Sequence, residues 1–151
     1  MTYTLTGVNT GETGLDEVVI TDDLSQVLPY AKFNDDVVVK VGDHVVAAPI
    51  LDGTELTWTG SLAEGATVTI TYSVTVNADA AGETLANVAT TSATPPGGQT
   101  ITPPPSETEH SVLTPLAITG GQLAPWILVL SVLLLISGGA LMLLRRRTKT
   151  A

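Results

Sequence analysis

Cysteine is absent from the 151 residues, which removes disulfides, thiolate metal sites and cysteine nucleophiles together. A domain without that staple has to fold on burial and hydrogen bonding alone, which about 95 residues can do. Basic residues are also scarce: only Lys32 and Lys40 precede Arg145, whereas all 15 Asp and Glu lie between Glu12 and Glu109. Two positive charges against fifteen negative leave everything before the tail at −13, and the tail itself carries +4. A surface that acidic repels phosphate backbones and excludes nucleic acid as a partner. The two histidines, His44 and His110, lie in different regions without metal-ligand spacing, so no zinc site is expected. There is no glycine-rich phosphate loop, no Ser-His-Asp order and no G-x-S-x-G; the chain is not expected to be an enzyme or to carry a cofactor.

What is present first is alternation. In "ATVTITYSVTV" the residues Ala66, Val68, Ile70, Tyr72, Val74 and Val76 alternate with Thr67, Thr69, Thr71, Ser73 and Thr75, so period two sends one set inward and the hydroxyls outward. "TYTLT" (Tyr3 and Leu5 inward), "EVVI", "DVVVKV", "DHVVAAPI", "ELTWT" (Leu56 and Trp58 inward) and "TLANVATTSA" supply six more candidate strands. Turn signals separate them at Asn9-Thr10-Gly11, Gly42-Asp43, Asp52-Gly53, Ala63-Glu64-Gly65 and Ala81-Gly82. "DDLSQVL" reads as one helical turn capped by Asp22 or Asp23. About seven short strands over residues 1–94 predict an all-β, immunoglobulin-like β-sandwich.

Residues 95–115 change character. Six of the nine prolines fall there among Thr, Ser, Gly and Glu, which predicts an extended, partly polyproline-II linker. Residues 123–144 contain no charge, and 13 of these 22 positions are Leu, Ile or Val. At 1.5 Å rise they span about 33 Å, enough for one transmembrane helix across a hydrocarbon core of about 30 Å. Arg145, Arg146, Arg147 and Lys149 follow as a stop-transfer cluster within the 145–151 tail; basic flanks stay cytoplasmic, so the acidic domain faces outward.

Just before the apolar run stands Leu116-Ala117-Ile118-Thr119-Gly120. A Leu-x-x-Thr-Gly pentapeptide, an apolar span and a terminal basic cluster, in that order over residues 116–151, resemble the cell-wall sorting signal of Gram-positive surface proteins. The common family motif is Leu-Pro-x-Thr-Gly; alanine at the second position departs from it and is similar to the variant associated with class E sortases of high-GC actinobacteria. The resemblance implies that the protein is a substrate. A sortase cysteine would attack the Thr119 carbonyl, the Thr119–Gly120 bond would break through a thioester, and an amine of the peptidoglycan precursor would take the acyl group. Sortase, peptidoglycan precursor and membrane are thus the implied partners, and the cell wall or surface the implied location. The alternative is an uncleaved single-pass membrane protein with an extracellular immunoglobulin-like binding domain.

"YTLTGVNTGETGLDEVVITDDLS" followed by "LTWTGSLAEGATVTITYSVTVN" resembles the repeat of bacterial surface proteins known as domain of unknown function 11, through Asn9-Thr10-Gly11, the Asp22-Asp23 turn and the "LTWTG" pair. That resemblance implies stalk or adhesion work. Two local sites compete with solvated surface charge. Asp22, Asp23, Asp35, Asp36, Asp43 and Asp52 could gather Ca²⁺, though without EF-hand spacing. Lys32 or Lys40 could form with Asn87 the Lys–Asn isopeptide bond of some Gram-positive surface domains, although neither lysine opens the first strand. The sequence starts directly in a strand without a leader segment, an expectation of a C-terminal piece of a larger precursor. Replacing Leu133 and Leu134 together by Arg should abolish stable membrane insertion, since each mid-span Arg costs about 2.5–3.5 kcal/mol; unchanged membrane retention on fractionation would refute the span.

Overall fold

Ten strands form in the computed structural model, which describes residues 1–114: β1 (Thr2–Val8), β2 (Leu15–Asp23), β3 (Ala31–Phe33), β4 (Val38–Val41), β5 (His44–Val46), β6 (Leu51–Asp52), β7 (Glu55–Leu62), β8 (Thr67–Val76), β9 (Thr84–Thr94) and β10 (Ser106–Ser111). Seven of them are the runs expected from alternation; β3, β6 and β10 are additional. The chain divides into two units, Met1–Pro115 and Leu116–Ala151. The pentapeptide at 116–120, the apolar run at 123–144 and the tail at 145–151 lie outside the described residues. Among the described residues no helix is long and apolar enough to cross a membrane.

The strand with the strictest alternation organises one sheet. β8 pairs with β1 along one edge, while its other edge carries β4 and, further along, β3; β5 closes that side as a hairpin with β4. Val68, Ile70, Tyr72 and Val74 are buried as period two demands. Between β3 and β4 the backbone leaves the ladder, and Asp35 takes a positive φ of 60°. There Asp36 replaces the missing acceptor: its carboxylate accepts from the Ser73 backbone N–H at 2.8 Å and the Ser73 hydroxyl at 2.6 Å. Those bonds hold the Asp36 carboxyl below its ordinary pKa.

The second sheet runs β10-β9-β2-β7-β6, all antiparallel. Val18, Ile20, Leu56, Trp58, Leu62 and Leu85 face Tyr3, Val39 and the inner row of β8 in one continuous core. Trp58 is buried as expected, and its ring folds back over Gly60: a Cβ there would stand 2.3 Å from the ring. Glycine is required by that close approach, not by a turn. At one end of the sandwich Asn9 ties two loops together. Its side-chain N–H groups donate to the carbonyls of Thr13, Leu62 and Ala63, and its oxygen accepts from the Gly11 N–H.

One expectation requires correction. The 95–115 stretch is not wholly an extended linker. Pro95–Gly98 makes a turn closed by the Gly98 N–H on the Pro95 carbonyl, Ile101 bonds in both directions with Ala93, and Ser106–Ser111 pairs with β9. The β-domain therefore continues to Val112, whose backbone exchanges hydrogen bonds with Gly82 and Glu83. Backbone pairing alone recruits this strand, because every side chain of β10 is exposed. The helical turn at 24–30 does form, with the Leu28 N–H donating to the Leu24 carbonyl. Of the two candidate caps Asp23 serves, accepting from the Ser25 N–H at 2.8 Å.

Trp58→Ala should lower stability by roughly 3–5 kcal/mol, the cost of emptying a large aromatic site. Denaturant unfolding that matches the parent would show that the core does not depend on this ring.

Candidate functional site

Period two along β2 places Asp22 on the same face as Val18 and Ile20, and along β9 it places Asn87 beside Leu85. Both polar side chains therefore enter the core, where Asp22 is 1% and Asn87 6% exposed. The Asp22 carboxylate accepts the Tyr72 hydroxyl at 2.6 Å on one oxygen and the Asn87 side-chain N–H at 2.7 Å on the other. Tyr72 belongs to the first sheet and Asp22 and Asn87 to the second, so this cluster bridges the sandwich. Tyr3 stacks on Tyr72 with ring centroids 5.2 Å apart, and Phe33 and His110 approach these two rings from either side.

The electrostatics are set by burial. Desolvation raises the Asp22 pKa, opposed by the two donated hydrogen bonds and reinforced by the neighbouring charge of Asp23. Desolvation, then the bond to Asp22, pushes the Tyr72 hydroxyl far up, and Tyr3 is raised by burial and by Asp22. Neither phenol ionises at physiological pH.

A groove of about 170 Å³ opens beside the cluster, between Tyr3–Thr6 of β1 and the β9–β10 pair, with Ile20 and Asn87 on its floor and Ser106 and Thr108 on its rim. Tyr3 and Asn87, which line it, each carry a buried polar atom that meets no protein partner among the described residues, the Tyr3 hydroxyl and Asn87 Oδ1. Pockets for drug-sized molecules run to about 300–1,000 Å³, so this groove suits a single side chain.

The aspartates considered for calcium are scattered. Asp22 is buried in the bridge, Asp23 caps a turn, Asp36 fills the ladder gap, and Asp43 and Asp52 sit at separate hairpins. Among the described residues no group of three or more carboxylates or histidines could hold a metal ion. The lysine–asparagine pairing is not assembled either. Lys32 and Lys40 are exposed on the first sheet, while the Asn87 amide is engaged by Asp22 in the interior. His44 is exposed on β5, and His110 stands edge-on to Tyr3. What the sequence reading missed is the union of Asp22, Tyr72, Asn87 and Tyr3. Its signal was present: two polar residues at inward-facing positions of otherwise apolar rows.

The family described as "Domain of unknown function (DUF7927)" matches residues 1–112, a description different from that of the repeat its motifs resemble. No curated protein matches the chain. Among solved structures, the collagen-binding domain from a Staphylococcus aureus adhesin is similar in fold. The two share 12% identity with a TM-score of 0.50, over 72% of this chain and 85% of that one.

Asp22→Ala should destabilise the domain by roughly 2–5 kcal/mol by stranding two buried donors, whereas Asp22→Asn should keep an acceptor for Tyr72. Because burial raises the folded-state pKa of Asp22, its contribution is complete below the ordinary value of 3.8 and is lost as pH rises through the raised one. Relative to the parent, Asp22→Asn should therefore gain stability from acid to neutral pH. Parallel stability curves would show that Asp22 does not titrate in the fold.

Proposed function

We propose that this chain, which belongs to the DUF7927 family, is an adhesin-like, immunoglobulin-like surface domain joined to peptidoglycan through its C-terminal segment. The observation that carries the reading is the order of Leu116-Ala117-Ile118-Thr119-Gly120, an uncharged run of 22 residues, and Arg145, Arg146, Arg147 and Lys149. Neither packing nor hydrophobicity asks for Leu-x-x-Thr-Gly directly outside an apolar run; a transpeptidase cleft that reads side chains does. Leu116 fills an apolar subsite, Ala117 permits a close bend, Ile118 faces outward, Thr119 supplies the acyl carbon and Gly120 leaves as an unhindered amine. A class E sortase cleaves between Thr119 and Gly120 and passes the Thr119 acyl group to the peptidoglycan amine. The chain is the substrate of that reaction, not its catalyst.

The fold shared with an adhesin domain supports a surface role without assigning a ligand. A membrane-proximal spacer and a displayed binding domain both fit it.

Thr119→Ala should leave folding and membrane insertion intact but abolish attachment to the wall. The variant should remain detergent-extractable and retain the 32 residues from Gly120 onward. Recovery of wild-type protein that still ends in Thr148-Lys149-Thr150-Ala151 from cells with an active class E sortase would overturn the anchoring, leaving the uncleaved membrane protein.

A further inference from the structure

The groove beside the Asp22 bridge has a chemistry that anchoring does not use. At the two ends of β1 the Met1 carbonyl accepts from the Val74 N–H and the Asn9 N–H donates to the Ala66 carbonyl, both at 2.9 Å. Odd-numbered residues therefore make the hydrogen-bonded pairs with β8, and Thr4 and Thr6 aim their N–H and C=O groups away from it. Among the described residues no strand pairs with that edge. An open edge of this kind accepts an extended peptide.

Beside the edge, Tyr3 and Asn87 are 5% and 6% exposed, and the Tyr3 hydroxyl and Asn87 Oδ1 have no protein partner. Both can accept a hydrogen bond. Both Asp22 oxygens already accept from Tyr72 and Asn87, so the groove offers separate single-atom acceptors and no carboxylate fork. Separate acceptors match a compact ammonium with three donors better than a planar guanidinium, whose partner is a fork. Leu5 and Ile20 line the same groove and can cover a methylene stem. No lysine or arginine lines it, and fifteen acids against Lys32 and Lys40 give the part of the chain that carries it a net negative charge, which attracts a cation.

We propose that this groove binds a lysine side chain carried on an extended peptide of a partner protein. The peptide backbone pairs with Thr4 and Thr6 of β1, and the ammonium is held by the Tyr3 hydroxyl and Asn87 Oδ1. The volume of about 170 Å³ accommodates one such side chain. The proposal is independent of how the chain is anchored.

The test uses the full chain, ¹⁵N-labelled in detergent micelles, titrated with acetyl-Thr-Val-Lys-Val-Thr-amide and with its norleucine and arginine counterparts. The lysine peptide should shift the Thr4 and Thr6 amides and the Asn87 carboxamide. It should bind roughly tenfold more tightly than either counterpart, the ratio that one charged hydrogen bond supplies. Tyr3→Phe keeps the ring and removes an unpartnered hydroxyl, so Tm should hold while the preference for lysine falls toward that for norleucine. Thr4→Pro, at an edge position whose N–H faces outward, should weaken all three peptides alike. Equal binding of the lysine and norleucine peptides, an undiminished preference in Tyr3→Phe, or no shifts at millimolar peptide would each overturn the assignment.

Discussion

The buried Asp22 carboxylate is the constraint on which the arrangement of the sandwich depends. Apolar faces can slide against one another at small cost, because burial is non-directional. A carboxylate in the core cannot. It needs its acceptors filled, and here Tyr72 from the opposite sheet and Asn87 from the neighbouring strand fill them at 2.6 and 2.7 Å. Those two bonds set the relation of β8 to β2 and of β2 to β9, and they aim the Tyr3–Tyr72 stack. A residue that opposes folding by its desolvation thus selects one packing among many, as buried polar groups do in some proteins.

The same logic repeats at the periphery in cheaper form. Asp36 stands in for a missing strand residue opposite Ser73, and Asn9 gathers three carbonyls from two loops. Each side chain supplies what the backbone omits, so the ladder survives an irregular connection. With no disulfide available, these polar ties are what fix loops that a small core could not hold. The free edge of β1 and the groove beside it are the exception, a place where backbone and buried side-chain groups are left unpaired.

Function divides along the chain in the same way. Up to Val112 the molecule is a folded scaffold in which, among the described residues, no group of three or more carboxylates or histidines could hold a metal ion. Beyond it the sequence bears a motif whose meaning, in the reading proposed here, lies in another protein's cleft.

The sequence by itself determined the seven strands with a period-two signal, the inward rows of β8 and β7, and the glycine turns, because alternation and turn chemistry act over a few residues. It also carried the motif at 116–120, which depends on residue identity alone. Tertiary structure decided the rest. β3 and β6, at three and two residues, are too short to show a period. β10, "SETEHS", buries no side chain and exists only because β9 offers an edge to pair with. That Asp22 is a bridge and Asp23 a cap could be suspected from phase, but each needed a partner at least 50 positions away or a turn two residues ahead to be fixed. Local patterns specify which way a side chain points; only the packed sheets specify what it meets.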